Sequence, residues 1–310
     1  MNTQRHLLGA LKVGHTELVC ATGYEDGTIV AREEIPMASP EEAIPAVSKW
    51  FVNKGVAAVG ICTFGPTGVD VASPDYGKLS ETGTTADEWR GYDLLGTLRS
   101  TLGVPCGYDT DVNAACLAES AFGGGRGLDD LVYVCVGSGV GVGVMVDGEP
   151  LHGMLHPEAG HVPVTPDPRD PLAQRGVCPC HENCLEGYLS EGALEARWPG
   201  MSLDEVAGNA GAMDILAGYL AQGLAIYALC YSPRKIIVGG SVVDGTGIVP
   251  LAREKARKQL NGYLVSPELE DFGTYIVHSG LNGSSEIMGC LELARRTLRK
   301  RGDHVPAMER

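Results

Sequence analysis

The sequence predicts an α/β fold made of two similar domains, and three observations carry this prediction. The chain has 310 residues, and because one domain usually takes roughly 100–200 residues, two domains fit this length. Apolar segments typical of strands alternate with segments whose apolar residues recur at helical spacing, which indicates an α/β protein with largely parallel sheets. A strand–turn–strand pattern also occurs twice, at 7–27 and at 131–148. A duplicated pair of domains would leave a cleft between them, suited to two substrates.

Each element follows from a local pattern. The two apolar stretches of 7–22 are separated at Gly14, and the pair Asp26-Gly27, typical of hairpins, follows them. The second copy has a glycine-rich turn between its strands and ends at Asp147-Gly148. Other apolar runs predict strands at 56–63, 235–238 and 275–278. Helical spacing predicts helices at 40–54, 212–230, 249–260 and 285–300.

Charge excludes some classes of partner. The chain has 24 Lys and Arg against 39 Asp and Glu, a formal net charge of −15. A general electrostatic attraction to nucleic acid or to an anionic membrane is therefore not expected, and any phosphate must be bound locally. The apolar runs are shorter than the roughly 20 residues that span a bilayer, and the first residues lack the apolar core of a signal peptide. We expect a cytoplasmic protein.

Two glycine-rich turns are candidate phosphate and nucleoside sites. Gly137, Ser138 and Gly139 lie between two strands rather than before a helix, which argues against a dinucleotide-binding fingerprint. Such a turn can present several backbone N–H groups to an anion, or it can simply be a crowded hairpin. Gly239 and Gly240 follow a predicted strand, where glycine allows a flat nucleoside to approach the backbone.

The segment 109–113 carries two carboxylates and an amide, Asp109, Asp111 and Asn113, just before a helix predicted from Ala114. An acid at such a junction can serve as a general base for a substrate hydroxyl. The alternative is a structural role, because Asp and Asn are favoured N-cap residues. The two roles can be divided among the three side chains.

Three of the ten cysteines lie close together, and they predict a zinc site. Cys178, His181 and Cys184 have the compact spacing of zinc ligands, and His161, 17 positions before Cys178, would complete a tetrahedral set. Four protein ligands would make the ion structural. Cys180 could replace His181, and the remaining alternative is an exposed cluster of free thiols, which would invite oxidation.

The motifs taken together resemble the ROK family of repressors, open reading frames and kinases, in particular its fructokinase branch. The resemblance covers essentially the whole chain. Its ordered motifs are Thr-Phe-Gly-Pro at 63–66, Ser-Pro-Asp-Tyr-Gly at 73–77, Tyr-Asp-Leu-Leu at 92–95, Asp-Thr-Asp-Val-Asn-Ala-Ala at 109–115, Val-Gly-Ser-Gly at 136–139, Leu-His-Gly at 151–153, His-Pro-Glu-Ala-Gly-His at 156–161, Cys-Pro-Cys-His at 178–181, Cys-Leu-Glu-Gly at 184–187, Ser-Pro at 232–233 and Ile-Ile-Val-Gly-Gly at 236–240.

The resemblance implies a duplicated actin-like ATPase fold, of the ribonuclease H-like type, with ATP and a sugar meeting in the interdomain cleft. Residues 1–117 with a C-terminal helix at 285–310 would form the smaller domain, and 118–284 the larger one with the zinc loop. The implied reaction is transfer of the γ-phosphoryl group of Mg²⁺-bound ATP to a hexose hydroxyl, most simply D-fructose to fructose 6-phosphate. A homodimer is implied as well.

The resemblance also assigns roles by position. Asp111 matches the catalytic base. The matched sugar-binding residues are Gly65, Pro66, Asn113, Glu158, His161 and Glu186. The nucleotide-binding matches are Lys12, Gly14, Thr16, Gly137, Ser138, Gly139, Gly239 and Gly240. The matched zinc ligands are His161, Cys178, His181 and Cys184, with Cys180 at a variable position.

Two segments depart from the family pattern, both on the nucleotide side. The first phosphate hairpin has Lys12 where the family has an acid that helps to hold hydrated Mg²⁺, His15 in place of a glycine and Glu17 in place of a lysine. The run 280–286 also differs from the usual glycine-rich pattern. Lys12 could contact phosphate, exchange charge with Glu17, or accompany impaired ATP chemistry. The alternatives to a fructokinase are therefore a sugar-binding protein with impaired ATP chemistry and a kinase of a sugar-like cyclitol.

Overall fold

The structure is a computed structural model that describes residues 5–81 and 87–302. The strands are β1 (Leu7–Val13), β2 (Glu17–Tyr24), β3 (Ile29–Pro36), β4 (Val59–Thr63), β5 (Cys106–Thr110), β6 (Leu131–Val136), β7 (Val140–Val146), β8 (Glu149–Pro150), β9 (Lys235–Gly239) and β10 (Ile276–His278). The helices are α1 (Pro40–Phe51), α2 (Leu94–Leu102), α3 (Asp111–Phe122), α4 (Leu185–Leu189), α5 (Glu191–Arg197), α6 (Leu203–Ala207), α7 (Ala210–Tyr231), α8 (Ile248–Leu260), α9 (Phe272–Tyr275) and α10 (Ser285–Gly302). Short 3-10 turns occur at Asp87–Trp89, Ala159–His161 and Pro267–Leu269.

The strands form two five-stranded sheets with the same topology. Their orders are β3-β2-β1-β4-β5 and β8-β7-β6-β9-β10. In each sheet the central strand, β1 or β6, pairs antiparallel on the side of the hairpin and parallel on the other side. The outer strands continue the same directions, so three strands run antiparallel to their neighbours and three run parallel, with the central strand counted in both sets. The sheets are therefore mixed, and the expectation of largely parallel sheets was wrong. Short turns join the strands of each hairpin, and only antiparallel strands can be joined in that way. The two predicted hairpins occupy equivalent places in the two sheets.

By residue contacts the chain divides into two units. The first comprises Met1–Phe122, His152–His156 and Ser284–Arg310, and the second comprises Gly123–Leu151 and Pro157–Gly283. The short segment His152–His156 thus returns to the first unit from the middle of the chain. It carries two of the four histidines that lie close together in the sequence.

In the first unit, α10 packs on the sheet and on α3 at backbone contact. Two glycines permit this approach, because a Cβ atom on Gly60 would overlap the Cys290 carbonyl, and one on Gly289 would overlap the Ala114 carbonyl. Glu286 lies three residues before Gly289 in α10, and Asp111 lies three residues before Ala114 in α3. This packing brings the start of α10 beside the start of α3.

In the second unit, α7 is the central core helix, as its leucine spacing predicts. Leu216, Leu220 and Leu224 are fully or almost fully buried. Among the helices of the described residues, α7 alone is long and apolar enough to cross a membrane, but 67% of its apolar window is buried inside this unit. That burial is typical of a core helix.

A buried ion pair holds the loop before the cysteine cluster onto this core. Asp170 accepts two hydrogen bonds from Arg197 of α5, each 2.7 Å long, and a third of 2.7 Å from the Tyr219 hydroxyl of α7. Both charged side chains are completely buried. The guanidinium also lies over the rings of Tyr188 and Tyr219, which stack with their centroids 4.6 Å apart.

The variant Asp170→Asn is expected to lower the free energy of unfolding by about 3–5 kcal/mol, because it leaves Arg197 as an uncompensated buried charge. Urea unfolding measures the change. As the control, Glu254→Gln removes an exposed partner of Arg257 and should change stability by less than about 1 kcal/mol. Equal and small effects of the two variants would contradict the role assigned to this pair.

Candidate active site and metal site

Asp111 is the first residue of α3 and follows β5 directly. Its Oδ1 accepts a hydrogen bond of 2.8 Å from the backbone N–H of Val112. Burial disfavours the charged form of the Asp111 carboxyl, and this is the main reason why its pKa is raised to about 7. The negative charge of Glu286 is the second reason. Capping falls to another residue, since the Thr110 hydroxyl accepts from the N–H of Asn113 at 3.2 Å. A carboxylate with this proton affinity is matched to abstracting a proton near neutral pH.

Beside it, Asp109 and Asn113 form a buried polar group with a histidine. Asp109 Oδ1 accepts from Asn113 Nδ2 at 2.7 Å, and Oδ2 lies 3.0 Å from Nε2 of His152. Within the described part of the chain, the buried Oδ1 of Asn113 has no hydrogen-bond partner. Because an unpaired buried acceptor is costly, this atom fits the hydroxyl of a bound ligand. Sequence reasoning assigned no role to His152, although the Leu-His-Gly motif at 151–153 contained it.

The first hairpin turn, which carries Gly14 and Thr16, packs against the segment after β4. The His15 ring stacks on Phe64 with the ring centroids 4.3 Å apart, and Gly65 and Pro66 follow Phe64 directly. The peptide bond between Gly65 and Pro66 is cis. The departure at position 15 therefore places an aromatic ring beside the predicted sugar-binding turn.

Lys12 forms an ion pair with Glu286 at the start of α10. Its Nζ lies 2.5 Å from Glu286 Oε2, and both side chains are mostly buried. Burial by itself would lower the pKa of the Lys12 ammonium. The charge of the Glu286 carboxylate and its hydrogen bond outweigh this effect, so that the pKa of Lys12 is raised. The ion-pair partner of Lys12 is therefore Glu286, which lies in the second departing segment, rather than Glu17, the partner that the charge-exchange interpretation named.

In the second unit, the two glycine turns lie side by side. Gly137, in the turn that also contains Ser138 and Gly139, faces Ser241, so that a Cβ on this glycine would lie 3.0 Å from the Ser241 hydroxyl. Gly240 has φ +103°, a conformation that favours glycine. The neighbouring parallel strands β6 and β9 produce this arrangement, because each turn follows the carboxyl end of one strand. Nearby, the Ser241 hydroxyl donates to Glu191 at 2.5 Å.

The predicted sugar-binding acids lie beside the second-unit hairpin and the cysteine loop. Glu186, in the first turn of α4, accepts a hydrogen bond of 3.0 Å from the N–H of Val140. Its other carboxylate oxygen lies 4.0 Å from Nδ1 of His161. Glu158 precedes the turn that carries His161 and is close enough to Glu186 to interact with its charge. The structure thus groups Glu158, His161 and Glu186, three of the residues to which the family resemblance assigns sugar binding.

The four predicted zinc ligands converge. The ligand atoms of His161, Cys178, His181 and Cys184 all lie within 4.8 Å of one another. Cys178 Sγ lies 3.9 Å from Nδ1 of His161 and 3.6 Å from Nδ1 of His181. A tetrahedral zinc ion with bonds of about 2.0–2.3 Å would hold its ligands about 3.3–3.8 Å apart.

The chemistry of these donors also fits a zinc ion. Cys178 and Cys184 are buried, and burial raises the pKa of the Cys184 thiol to about 12. Without a cation the thiol would stay protonated, whereas a bound zinc ion stabilises the thiolate. Cys180 is exposed and is not one of the four converging residues.

These features define an α/β protein with the duplicated actin-like ATPase fold that carries a carboxylate of raised pKa, glycine turns and a cysteine–histidine cluster. The ROK family model matches residues 8–297. A putative fructokinase from Bacillus subtilis is 39% identical over 94% of this chain and 96% of its own length, and a fructokinase from Pediococcus pentosaceus is 36% identical over 94% and 99%. The crystal structure of a ROK hexokinase from Thermus thermophilus matches with a TM-score of 0.75, 21% identity and coverage of 95% and 99%. The chain belongs to the ROK family.

Proposed function

We propose that the protein is an ATP-dependent sugar kinase that transfers the γ-phosphoryl group to a hexose hydroxyl, with D-fructose as the first candidate substrate and fructose 6-phosphate as the product. The observation that carries this proposal is Asp111, a carboxylate of raised pKa at the position of the family's base. The identity of 39% to a putative fructokinase over nearly the whole chain supports the choice of sugar.

In the proposed mechanism Asp111 accepts the proton of the sugar hydroxyl. As the hydroxyl oxygen forms its bond to the γ-phosphorus, the bond to the bridging oxygen of ATP breaks and ADP leaves. Such transfer needs mainly positioning and charge neutralisation, so one base and preorganised donors are sufficient. Mg²⁺ bound to ATP would supply positive charge to the phosphates.

Binding roles follow the grouping of residues. In the first unit, the unpaired Oδ1 of Asn113 would bind a sugar hydroxyl near the Gly65-Pro66 turn. In the second unit, Glu158, His161 and Glu186 would bind further hydroxyls. Backbone N–H groups of the turns at 137–139 and 239–240 would bind ATP, together with Lys12 and the turn Gly14–Thr16. The zinc ion would be structural and would hold the loop that begins α4 next to His161.

The test is an assay of ADP release with MgATP and a panel of fructose, glucose, mannose and a hexose-like cyclitol. Release that depends on fructose is expected. A response to the cyclitol alone would reassign the substrate. If no compound releases ADP above the rate of Asp111→Asn, the kinase proposal is wrong.

A second candidate is a sugar-binding protein without ATP chemistry, and the replacements at Lys12 and His15 favour it. It predicts sugar binding by calorimetry with no measurable affinity for MgATP, so tight MgATP binding would exclude it. We further propose a cytoplasmic homodimer without nucleic-acid or membrane partners, in line with the net charge of −15. Light scattering tests the dimer.

A further inference from the structure

The ion pair between Lys12 and Glu286 joins two positions that are 274 residues apart in the sequence. Lys12 Nζ and Glu286 Oε2 are 2.5 Å apart, and the side chains are 23% and 22% exposed. Exposed ion pairs of surface residues contribute little, but a pair enclosed to this degree is screened much less by solvent and salt. Its two charges therefore act strongly on groups nearby.

The backbone determines where this pair lies. Lys12 is in the central strand β1, in register with Cys62 of the parallel strand β4. Glu286 is in the first turn of α10, which Gly289 holds against the backbone of Ala114 in α3. Asp111 begins α3. The strand that carries Lys12 and the helix that carries Glu286 thus meet near the start of α3, where their charges act on Asp111.

Titratable groups on three packed elements interact electrostatically with Asp111. Lys12 acts from β1, Glu286 from α10 and Cys62 from β4. Burial, and next the neighbouring thiol of Cys290, raise the pKa of Cys62, so Cys62 is neutral. Asp109, two residues earlier, directs its carboxylate to Asn113 and His152. Among residues 5–81 and 87–302, the fixed charges that act on Asp111 are therefore those of Lys12 and Glu286.

We propose that Lys12 and Glu286 form a positioning pair that sets the proton affinity of Asp111, with Glu286 holding the ammonium beside the base. This inference rests on the kinase function proposed above. The carboxylate of Glu286 raises the pKa of Asp111 and the ammonium of Lys12 lowers it. The pair itself exchanges no proton: the sugar proton goes to Asp111, the new O–P bond forms, and ADP leaves.

The pH dependence of kcat/KM tests the pair, because the active base is deprotonated and activity rises with pH through its pKa. Glu286→Gln removes a negative charge and leaves Lys12 unpaired, so the acidic limb should move to lower pH by about one unit. Lys12→Met should move it by about one unit to higher pH for the opposite reason. In the double variant the two shifts should largely cancel, and Lys12→Arg, which keeps the positive charge, should leave the pH position of the acidic limb unchanged whatever its kcat/KM.

Lys255→Met is the matched control, since Lys255 forms a partly exposed pair with Asp214 at 2.6 Å in the second unit and should leave the profile unchanged. Shifts of the two single variants in the same direction, or no shifts in active variants, would overturn the proposal. The carboxyl ¹³C signal of Asp111, assigned by its loss in Asp111→Asn, gives the same pKa values without turnover. If the wild type lacks kinase activity while this signal shifts as expected, the proposed function fails but the pairing stands.

Discussion

Replacing Asp111 with Asn is expected to lower kcat about 10²–10⁴-fold, which is the usual contribution of a general base. The amide retains most of the shape of the carboxyl group but cannot accept the proton of the sugar hydroxyl. Because the interaction is needed in the transition state rather than for binding, KM for the sugar should change little. Steady-state kinetics with saturating MgATP measures both quantities.

The control for this variant is Asp87→Asn, which changes an aspartate whose side chain is 88% exposed. It should leave kcat and KM unchanged. The raised pKa of Asp111 also predicts a pH dependence of the wild type. Because this pKa is about 7, the carboxyl group is mostly protonated below pH 6, and activity should fall there. Residual kcat of Asp111→Asn within a few-fold of the wild type would remove Asp111 from its proposed role.

The second large effect concerns the cysteine–histidine cluster. The purified wild type is expected to contain about one zinc ion per chain, and Cys178→Ser should lose it, because a hydroxyl is a poor replacement for a thiolate ligand. If free zinc exceeds its dissociation constant about 1,000-fold, metal loss lowers the free energy of unfolding by about 4 kcal/mol. Metal analysis and thermal unfolding in reducing buffer measure these changes.

Zinc loss should also weaken sugar binding more than ATP binding. His161 is both a predicted ligand and a neighbour of Glu186, at 4.0 Å, so the loop and the acid would lose their position together. Cys180→Ser is the matched control, since this exposed cysteine lies between the ligands but does not join the cluster. Retention of zinc by Cys178→Ser, with its loss in Cys180→Ser, would reverse the assignment of these two residues.

Local features were predictable from the sequence. The hairpins at 7–27 and 131–148, the helices at 212–230 and 249–260, and the cysteine–histidine cluster each depend on residues close in the chain, whose spacing carries the information. The strand predicted at 56–63 begins only at Val59, and the helix predicted from Ala114 begins at Asp111. The parallel character of the sheets was overestimated, because strand direction depends on how the hairpins pair.

The sequence by itself determined the family and the duplicated α/β plan, since these follow from short motifs in a definite order, and it predicted the base and the metal ligands by their positions in those motifs. Only the tertiary structure decided what the departures mean. Near Lys12 and at 280–286 they are two unrelated irregularities in the sequence, but the packing of α10 makes them one ion pair beside Asp111. The same holds for His152, which reaches Asp109 across 43 positions. Charges interact through space, so their effect on a base depends on contacts between distant segments, which residue spacing does not encode.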